Sequence, residues 1–264
     1  MVKMCYSSGE EEKNKENKKT IDIVKEDLGL ANFLKKTYMF TGMGLGSSIA
    51  TAYILGFTQL FQEYPLETLG VGVVMSFISI FGISFCKHQI SKEKIDDKII
   101  LTSSNSPYRI ASYMGLTTGM GMTMTPLIAI CNGINPMILP ASLLLTGFTF
   151  GGSSLYAYCA KNNSLLTLKA PLMGSLTCFV GMGLISLISL FTVGPNTLSD
   201  MWFTFDLYGG IALFSAFSAY DTHYAIKQYK KGNPDHLGCS VNFYLDIINL
   251  LVRFLEIMAK YQKK

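Results

Sequence analysis

The chain has 264 residues, 49% of them hydrophobic and 15% charged, and its formal net charge is +4. Because a soluble domain carries about 25% charged residues, this composition argues against an ordinary soluble protein. Of the 22 Lys and Arg residues, eight lie in the first 36 positions and most others form short clusters between apolar runs. No basic stretch carries the interleaved aromatic residues of a phosphate-binding surface, so we expect no nucleic-acid partner.

Residues 1–36 form a charged N-terminal segment. The stretch EEKNKENKKT is mixed in sign, and no apolar run precedes Thr37, which argues against a cleaved signal peptide and against an acid-poor transit peptide. We expect the segment to be cytosolic and largely disordered, especially residues 1 to about 20. The sequence IDIVKEDLGLANFLKK that follows predicts a short interfacial helix.

Seven apolar runs follow this segment, and each approaches the roughly 20 residues that a helix needs to cross a bilayer. They cover residues 37–61, 68–86, 110–131, 136–160, 171–194, 202–220 and 241–259. The sequence therefore predicts an all-α polytopic membrane protein with seven transmembrane helices. Residues 37–260 form its transmembrane domain, and 261–264 form a short basic tail.

Lys and Arg in the connections predict the orientation of the spans. The N-terminal segment and the connections after spans two, four and six contain such residues, whereas those after spans one, three and five contain none. By the positive-inside rule the N-terminus is cytosolic. If span seven crosses fully, the tail KYQKK lies on the far side, against that rule. Span seven is therefore either partial or re-entrant, or the six preceding helices fix the topology and the tail is tolerated.

Glycines recur inside the spans at G-x-x-x-G spacing. The stretches are GMGLGSS from Gly42, GLTTGMGM from Gly115 and GFTFGG from Gly147. Small residues at this spacing let helices approach closely in lipid, so we expect three packing faces. None of the stretches fits a dinucleotide-binding or P-loop motif. The six cysteines lack metal-ligand spacing, and nothing in the sequence predicts a cofactor.

Span seven carries a polar stripe. Its members, spaced alternately by four and three positions, are Asn242, Asp246, Asn249, Arg253 and Glu256. This spacing places them on one helix face. Since lipid cannot satisfy polar groups, the stripe should face protein or water. Span seven is therefore expected at the centre of the bundle.

Asp221 follows span six, and an antiparallel hairpin of spans six and seven brings it to the depth of Asp246. Two close carboxylates cannot both ionise cheaply, so we expect them to share one proton. Such a latch opens as pH rises or when a cation replaces the proton, and carboxylate oxygens suit a transient Ca²⁺. Alternatively, both residues cap helix ends or pair with Arg253 or Lys227. Asp206, beside Trp202 at a membrane edge, is expected to be solvated.

Two segments near the end of the chain resemble the signature of the Bax inhibitor-1 (transmembrane Bax-inhibitor-motif) family. They are LYGGIALFSAFSAYDTHYAIKQY and NFYLDIINLLVRFLEIM. Upstream, GMTMTPLIAICNGINPMILPASLLLTGFTFGGSSLYAYCAK resembles the third and fourth spans of the endoplasmic-reticulum branch, and FLKKTYMFTGMGLG resembles the entry to span one. The resemblance covers about residues 33–260.

The resemblance implies seven helices with the last one wrapped by the others. It also implies a pH-sensitive Ca²⁺ leak through the endoplasmic-reticulum or another membrane, suppression of cell death, and cell-death regulators of the Bcl-2 type as partners. The paired aspartates of the family correspond to Asp221 and Asp246. Some members close the latch with a basic residue in span two. This sequence has none between residues 68 and 86, and Arg253 or Lys87 is the candidate substitute.

Two other functions use the same residues differently. An intramembrane aspartyl protease also needs two aspartates that share a proton. However, the second aspartate here reads FYLD instead of Gly-x-Gly-Asp, and the Pro-Ala-Leu motif is absent. We therefore expect no enzyme activity. The remaining alternative is an anti-death interaction protein without ion flux, in which the aspartates only hold the bundle together.

Overall fold

The computed structural model describes residues 3–86, 89–95, 98–160, 164–194 and 197–262, with side chains of the first helix from Gly29 onward. Its helices are α1 (Lys3–Gly56), α2 (Gln59–Glu63), α3 (Pro65–Phe85), α4 (Pro107–Ile134), α5 (Ile138–Cys159), α6 (Ser164–Thr167), α7 (Lys169–Val193), α8 (Thr197–Lys230) and α9 (His236–Gln262). Its strands are β1 (Gln89–Ile95) and β2 (Lys98–Ser104).

The predicted class, a polytopic all-α membrane protein, is confirmed. The seven predicted spans lie on seven different helices, namely α1, α3, α4, α5, α7, α8 and α9. Within the described residues, α3, α4, α5 and most of α7 are long and apolar enough to cross a membrane by length and composition alone. The predicted end of span one at Phe61 is wrong, because α1 ends at Gly56 and the short α2 follows.

Helix α1 starts at Lys3 and runs without a break into span one, so it includes most of the N-terminal segment. The composition is compatible with a helix, because Glu and Lys are strong helix formers. The expectation that residues 1–36 form a largely disordered cytosolic segment stays a prediction.

The basic connection after span two contains a β-hairpin that the sequence analysis did not predict. Strands β1 and β2 pair antiparallel, with Gln89 opposite Ser104 and Ile95 opposite Lys98. The hairpin leads directly into α4, whose first turn is capped by the Ser106 side chain accepting a hydrogen bond from the Tyr108 N–H.

Helix α9 lies at the centre of the bundle, as predicted, and packs against α1, α4, α5 and α8. One side, including Phe243 and Leu250, joins a hydrophobic cluster with α1, α5 and α8. The other side, including Tyr244 and Leu251, joins a second cluster with α1 and α4. The helix is continuous over 27 residues, about 40 Å, which favours a full crossing over a re-entrant helix.

Two of the three glycine stretches form the expected packing faces. In GLTTGMGM, a Cβ atom at Gly119 would lie 2.7 Å from the Gly72 carbonyl oxygen, so α3 and α4 approach closely at this point. The prediction for GFTFGG is wrong, since a Cβ at Gly147 or Gly151 would meet nothing within 4 Å.

In GMGLGSS the packing residues are Gly44 and Ser48, not the G-x-x-x-G positions themselves. A Cβ atom at Gly44 would overlap the Tyr113 hydroxyl of α4. The Ser48 hydroxyl donates to the Thr117 carbonyl of α4 at 2.7 Å, so this stretch packs against α4.

Candidate functional site

A cavity of about 770 Å³ lies between α7, α8 and α9. Its α7 wall is apolar apart from Lys169 at one end, and includes Met173, Leu176, Phe179, Val180 and Gly183. The walls from α8 and α9 carry most of the charged and polar groups. One side of the cavity is therefore polar and the other hydrophobic.

Both predicted gate residues line this cavity. Asp246 on α9 is 5% exposed, and Asp221 on α8 is partly buried. Asp221 and Asp246 line the cavity from neighbouring helices, and the hydroxyl of Ser218, one turn before Asp221, donates to the Phe214 carbonyl at 2.8 Å. The antiparallel packing of α8 and α9 thus brings together two carboxylates that stand 25 positions apart.

One oxygen of Asp246 has no partner. Its Oδ2 atom is buried and accepts no hydrogen bond from any of the described residues. An ionised carboxylate oxygen in this state is strongly unfavourable. A proton shared with Asp221, or a cation in the cavity, removes the penalty, and both are chemically compatible with two neighbouring carboxylates.

Most of the polar stripe faces the same cavity. Asn242, Asn249 and Arg253 line it with Asp246. Glu256, the last member, is partly buried beyond Arg253 and is not part of the lining. Asn249 donates through Nδ2 to the Leu245 carbonyl at 2.8 Å, so its amide is held against its own helix.

Arg253 pairs with Asp206, which the sequence analysis placed in solvent. Its Nη2 atom lies 2.9 Å from Asp206 Oδ1, and its Nε donates to the Asp206 carbonyl at 3.1 Å. The guanidinium also lies 4.8 Å from the centre of the Phe214 ring. The expectation that Asp206 is solvated is therefore only partly right, because its side chain is 29% exposed but paired with Arg253. Opposite charges inside two neighbouring apolar spans were the signal for this pair.

This pairing also bears on the alternatives left open above. Arg253 is occupied by Asp206 and is not the partner of Asp221 or Asp246 in the structure. The other suggested substitute for the missing basic residue, Lys87, lies outside the described residues. The aspartate pair is therefore not closed by Arg253.

A second buried ion pair joins α4 to the start of α9. Arg109 is 5% exposed and donates from Nη1 to Asp235 Oδ1 at 2.8 Å and from Nη2 to Asp235 Oδ2 at 2.6 Å. Asn105 accepts a further bond from Nη1 at 2.7 Å. Asp235 also accepts from the Gly238 N–H at 3.0 Å, and so caps α9. The sequence analysis counted Arg109 only as a connection charge.

The described residues contain no group of three or more His, Cys, Asp or Glu side chains that could hold a metal ion. Asp221 and Asp246 provide two carboxylates, whereas Ca²⁺ takes six to eight oxygen ligands in its protein sites, according to general coordination chemistry. Two carboxylates alone therefore fall short of the oxygen ligands of a protein-held Ca²⁺.

The model of a family described as "Inhibitor of apoptosis-promoting Bax1" matches residues 30–263. The Homo sapiens protein Bax inhibitor 1 is 25% identical over 231 residues, 87% of this chain and 86% of the relative. The Drosophila melanogaster Bax inhibitor 1 is 26% identical over 88% of this chain and 83% of the relative. The Rattus norvegicus growth hormone-inducible transmembrane protein is 26% identical over 86% of this chain and 62% of the relative.

Proposed function

The chain belongs to the family of inhibitors of apoptosis-promoting Bax1, and on that premise we propose that it is a pH-sensitive Ca²⁺ leak channel. In this proposal the protein lies in the endoplasmic-reticulum membrane with its N-terminus in the cytosol. By lowering the Ca²⁺ store it restrains cell death, alone or with regulators of the Bcl-2 type. It is not an enzyme, and no catalytic role is assigned to its aspartates.

The observation that carries the proposal is the unpartnered Oδ2 atom of Asp246 beside Asp221. Arg253, the buried cation of the same cavity, is neutralised by Asp206. Lys169, at the cavity edge, is exposed and so is largely screened by water. Among the described residues that line the cavity, no buried cation therefore offsets the charge of the aspartate pair, and uncompensated negative charge is a requirement for a cation path.

The gate follows from the repulsion between the two carboxylates. At low pH they share one proton and hold α8 against α9. As pH rises the shared proton is lost and the two carboxylates repel; for scale, any two unit charges at 4 Å repel by about 4 kcal/mol at an effective dielectric constant of 20. A bias of that size is sufficient to shift a two-state equilibrium by about a thousandfold. The open state then offers carboxylate oxygens to Ca²⁺, a hard cation.

Reconstitution tests this function directly. Purified protein is placed in liposomes loaded with Ca²⁺, and efflux is followed between pH 6 and pH 8 against empty liposomes. We expect efflux to exceed the empty control and to rise with pH. Asp200→Asn, at an exposed position in the first turn of α8 outside the cavity, is the matched control and should behave as the wild type. If efflux equals that of empty liposomes at every pH, the channel is rejected and an interaction protein without flux becomes the better account.

A further inference from the structure

We propose that the cavity between α7, α8 and α9 binds a long-chain amine, that is, a single-chain amphiphile with a protonated amino head group. The head group would lie at Asp246 and the chain would follow the apolar α7 wall. Binding of this ligand goes beyond ion flux and does not require it.

The unpartnered carboxylate selects the charge of the head group. An ammonium group is a donor that accepts nothing, and a charge-assisted hydrogen bond to a carboxylate is among the stronger contacts in proteins. The Asp246 Oδ2 atom is a buried acceptor without a donor. When the shared proton is absent, the carboxylates that line the cavity outnumber its cations, Lys169 and Arg253, by one. An anionic head group would add negative charge, because Arg253 already pairs with Asp206.

Aromatic rings surround the proposed head-group position. Phe217, Tyr220 and Tyr224 line the same end of the cavity as Asp221, and the rings of Tyr220 and Tyr224 stack at 6.0 Å. Aromatic faces attract organic cations, whereas a divalent metal ion needs more oxygen ligands than this end supplies. The surroundings therefore favour an organic cation over a resident metal.

The length of the cavity favours a ligand with a long, unbranched hydrocarbon chain. Ser218, one turn before Asp221, stands 16 residues after Trp202 along α8, and this separation corresponds to about 24 Å. Trp202 lines the far end. A volume of about 770 Å³ spread over such a length is narrow, and it falls in the usual range of ligand pockets, about 300–1,000 Å³. A single alkyl chain fits this outline.

Trp202 also supplies the readout, because it is the one tryptophan of the chain. The probe is hexadecylamine brominated at the far end of its chain, added to purified full-length protein in detergent. Bromine quenches tryptophan emission on contact. The uncharged control is the brominated alcohol of equal length, which enters detergent and apolar surfaces similarly but has no ammonium group.

We expect saturable quenching of Trp202 by the amine and only weak, linear quenching by the alcohol. Asp246→Asn should raise the half-saturating amine concentration at least tenfold, whereas Asp200→Asn should leave it unchanged. Equal saturable quenching by amine and alcohol would overturn the proposal, and so would an unchanged half-saturation in Asp246→Asn.

If Asp246→Asn does not fold, displacement of the bound brominated amine from the wild-type protein provides a second test. Unbrominated hexadecylamine should restore Trp202 emission, while hexadecanol at the same concentration should not. Equal restoration by both compounds contradicts the proposed site. Because none of these measurements uses Ca²⁺, a protein that binds the amine but shows no efflux would reject the proposed channel and leave the amine site standing.

Discussion

Carboxylates on or beside the apolar helices occur in three different environments, which are represented by Asp206, Asp235 and Asp246. Asp206 is neutralised by Arg253, and Asp235 by Arg109 with an additional role as a helix cap. Asp246, the most buried of the three, has an oxygen without a partner. The first two arrangements stabilise the fold. In the third, the ionised carboxylate is energetically unfavourable, and binding of a proton or a cation removes that cost.

The spacing of the polar stripe predicted from sequence that Asp246 faces the interior, because residues four and three apart share a helix face. The two ion pairs were not predicted. Arg109 and Asp235 are 126 positions apart, and nothing local in the sequence states which distant helices pack side by side. Gly210 was a local hint, since a glycine on α8 one turn after Asp206 leaves room for a long side chain.

Gly210→Ala tests the Arg253–Asp206 pair. A Cβ atom at this position would overlap the Arg253 Nε atom, so the guanidinium must leave its present site. Because Asp206 is partly exposed, we expect a loss of about 1–3 kcal/mol in the free energy of unfolding. Thermal unfolding in detergent measures it. The matched control is Gly181→Ala, where the added Cβ meets nothing within 4 Å. Equal midpoints for the two variants would contradict the packing described for Arg253.

Two substitutions of Asp235 distinguish the contribution of its ion pair with Arg109 from that of its helix cap at the start of α9. Asp235→Asn keeps an acceptor for the Gly238 N–H but removes the charge facing Arg109, and we expect it to be destabilising by about 3–5 kcal/mol because a buried guanidinium is left uncompensated. Asp235→Ala also removes the cap, for about 1 kcal/mol more. Denaturant titration measures the free energy of unfolding of both variants and shows which of them is less stable. If Asn behaves as the wild type, the ion pair contributes nothing to stability.

The contact between α3 and α4 depends on glycine. At Gly119 a Cβ would face the Gly72 carbonyl oxygen at 2.7 Å and the Ser76 nitrogen at 3.0 Å. Both are backbone atoms, so an added methyl group must push the helices apart. The spacing alone could not predict which glycines pack, because the same G-x-x-x-G spacing occurs at Gly147, where an added Cβ would meet nothing within 4 Å.

We therefore predict opposite effects for two Gly→Ala substitutions in apolar helices. Gly119→Ala should be destabilising by about 1–3 kcal/mol through overpacking. Gly147→Ala, with open space around the site, should be neutral or stabilising by up to about 1 kcal/mol, since alanine is the better helix former. Thermal unfolding of the two proteins in one detergent compares them. A neutral Gly119→Ala would mean that α3 and α4 are not in close contact.

Over the whole molecule, the positions of the apolar runs gave the class, the order of the long helices and the central place of α9. These features follow from burial of apolar length and from one polar stripe, which are properties of local sequence. The continuous α1, the β-hairpin and the ion pairs depend on helix propensity beyond the apolar runs, on strand pairing and on packing between distant elements. Hydropathy does not report these properties.

The transmembrane topology of the whole chain can be tested through the positions of its two termini. If all seven helices cross, the two termini lie on opposite sides of the membrane. A glycosylation sequon appended after Lys264 should then be modified in microsomes, and one placed before Met1 should not. The native sequon at Asn162, in a connection predicted to be cytosolic, is the internal control and should stay unmodified. Modification at the N-terminal sequon would reverse the orientation.

A double-mutant cycle on Ca²⁺ efflux tests the aspartate gate most directly. Efflux from liposomes is measured between pH 6 and pH 8 for wild type, Asp221→Asn, Asp246→Asn and the double variant, with Asp200→Asn as control. Neutralising either aspartate removes the repulsion that opens the gate, so each single variant should show slow efflux that no longer rises with pH. The double variant should add nothing further. Additive effects of the two substitutions, or a pH response equal to that of the wild type in either single variant, would contradict a gate formed by Asp221 and Asp246.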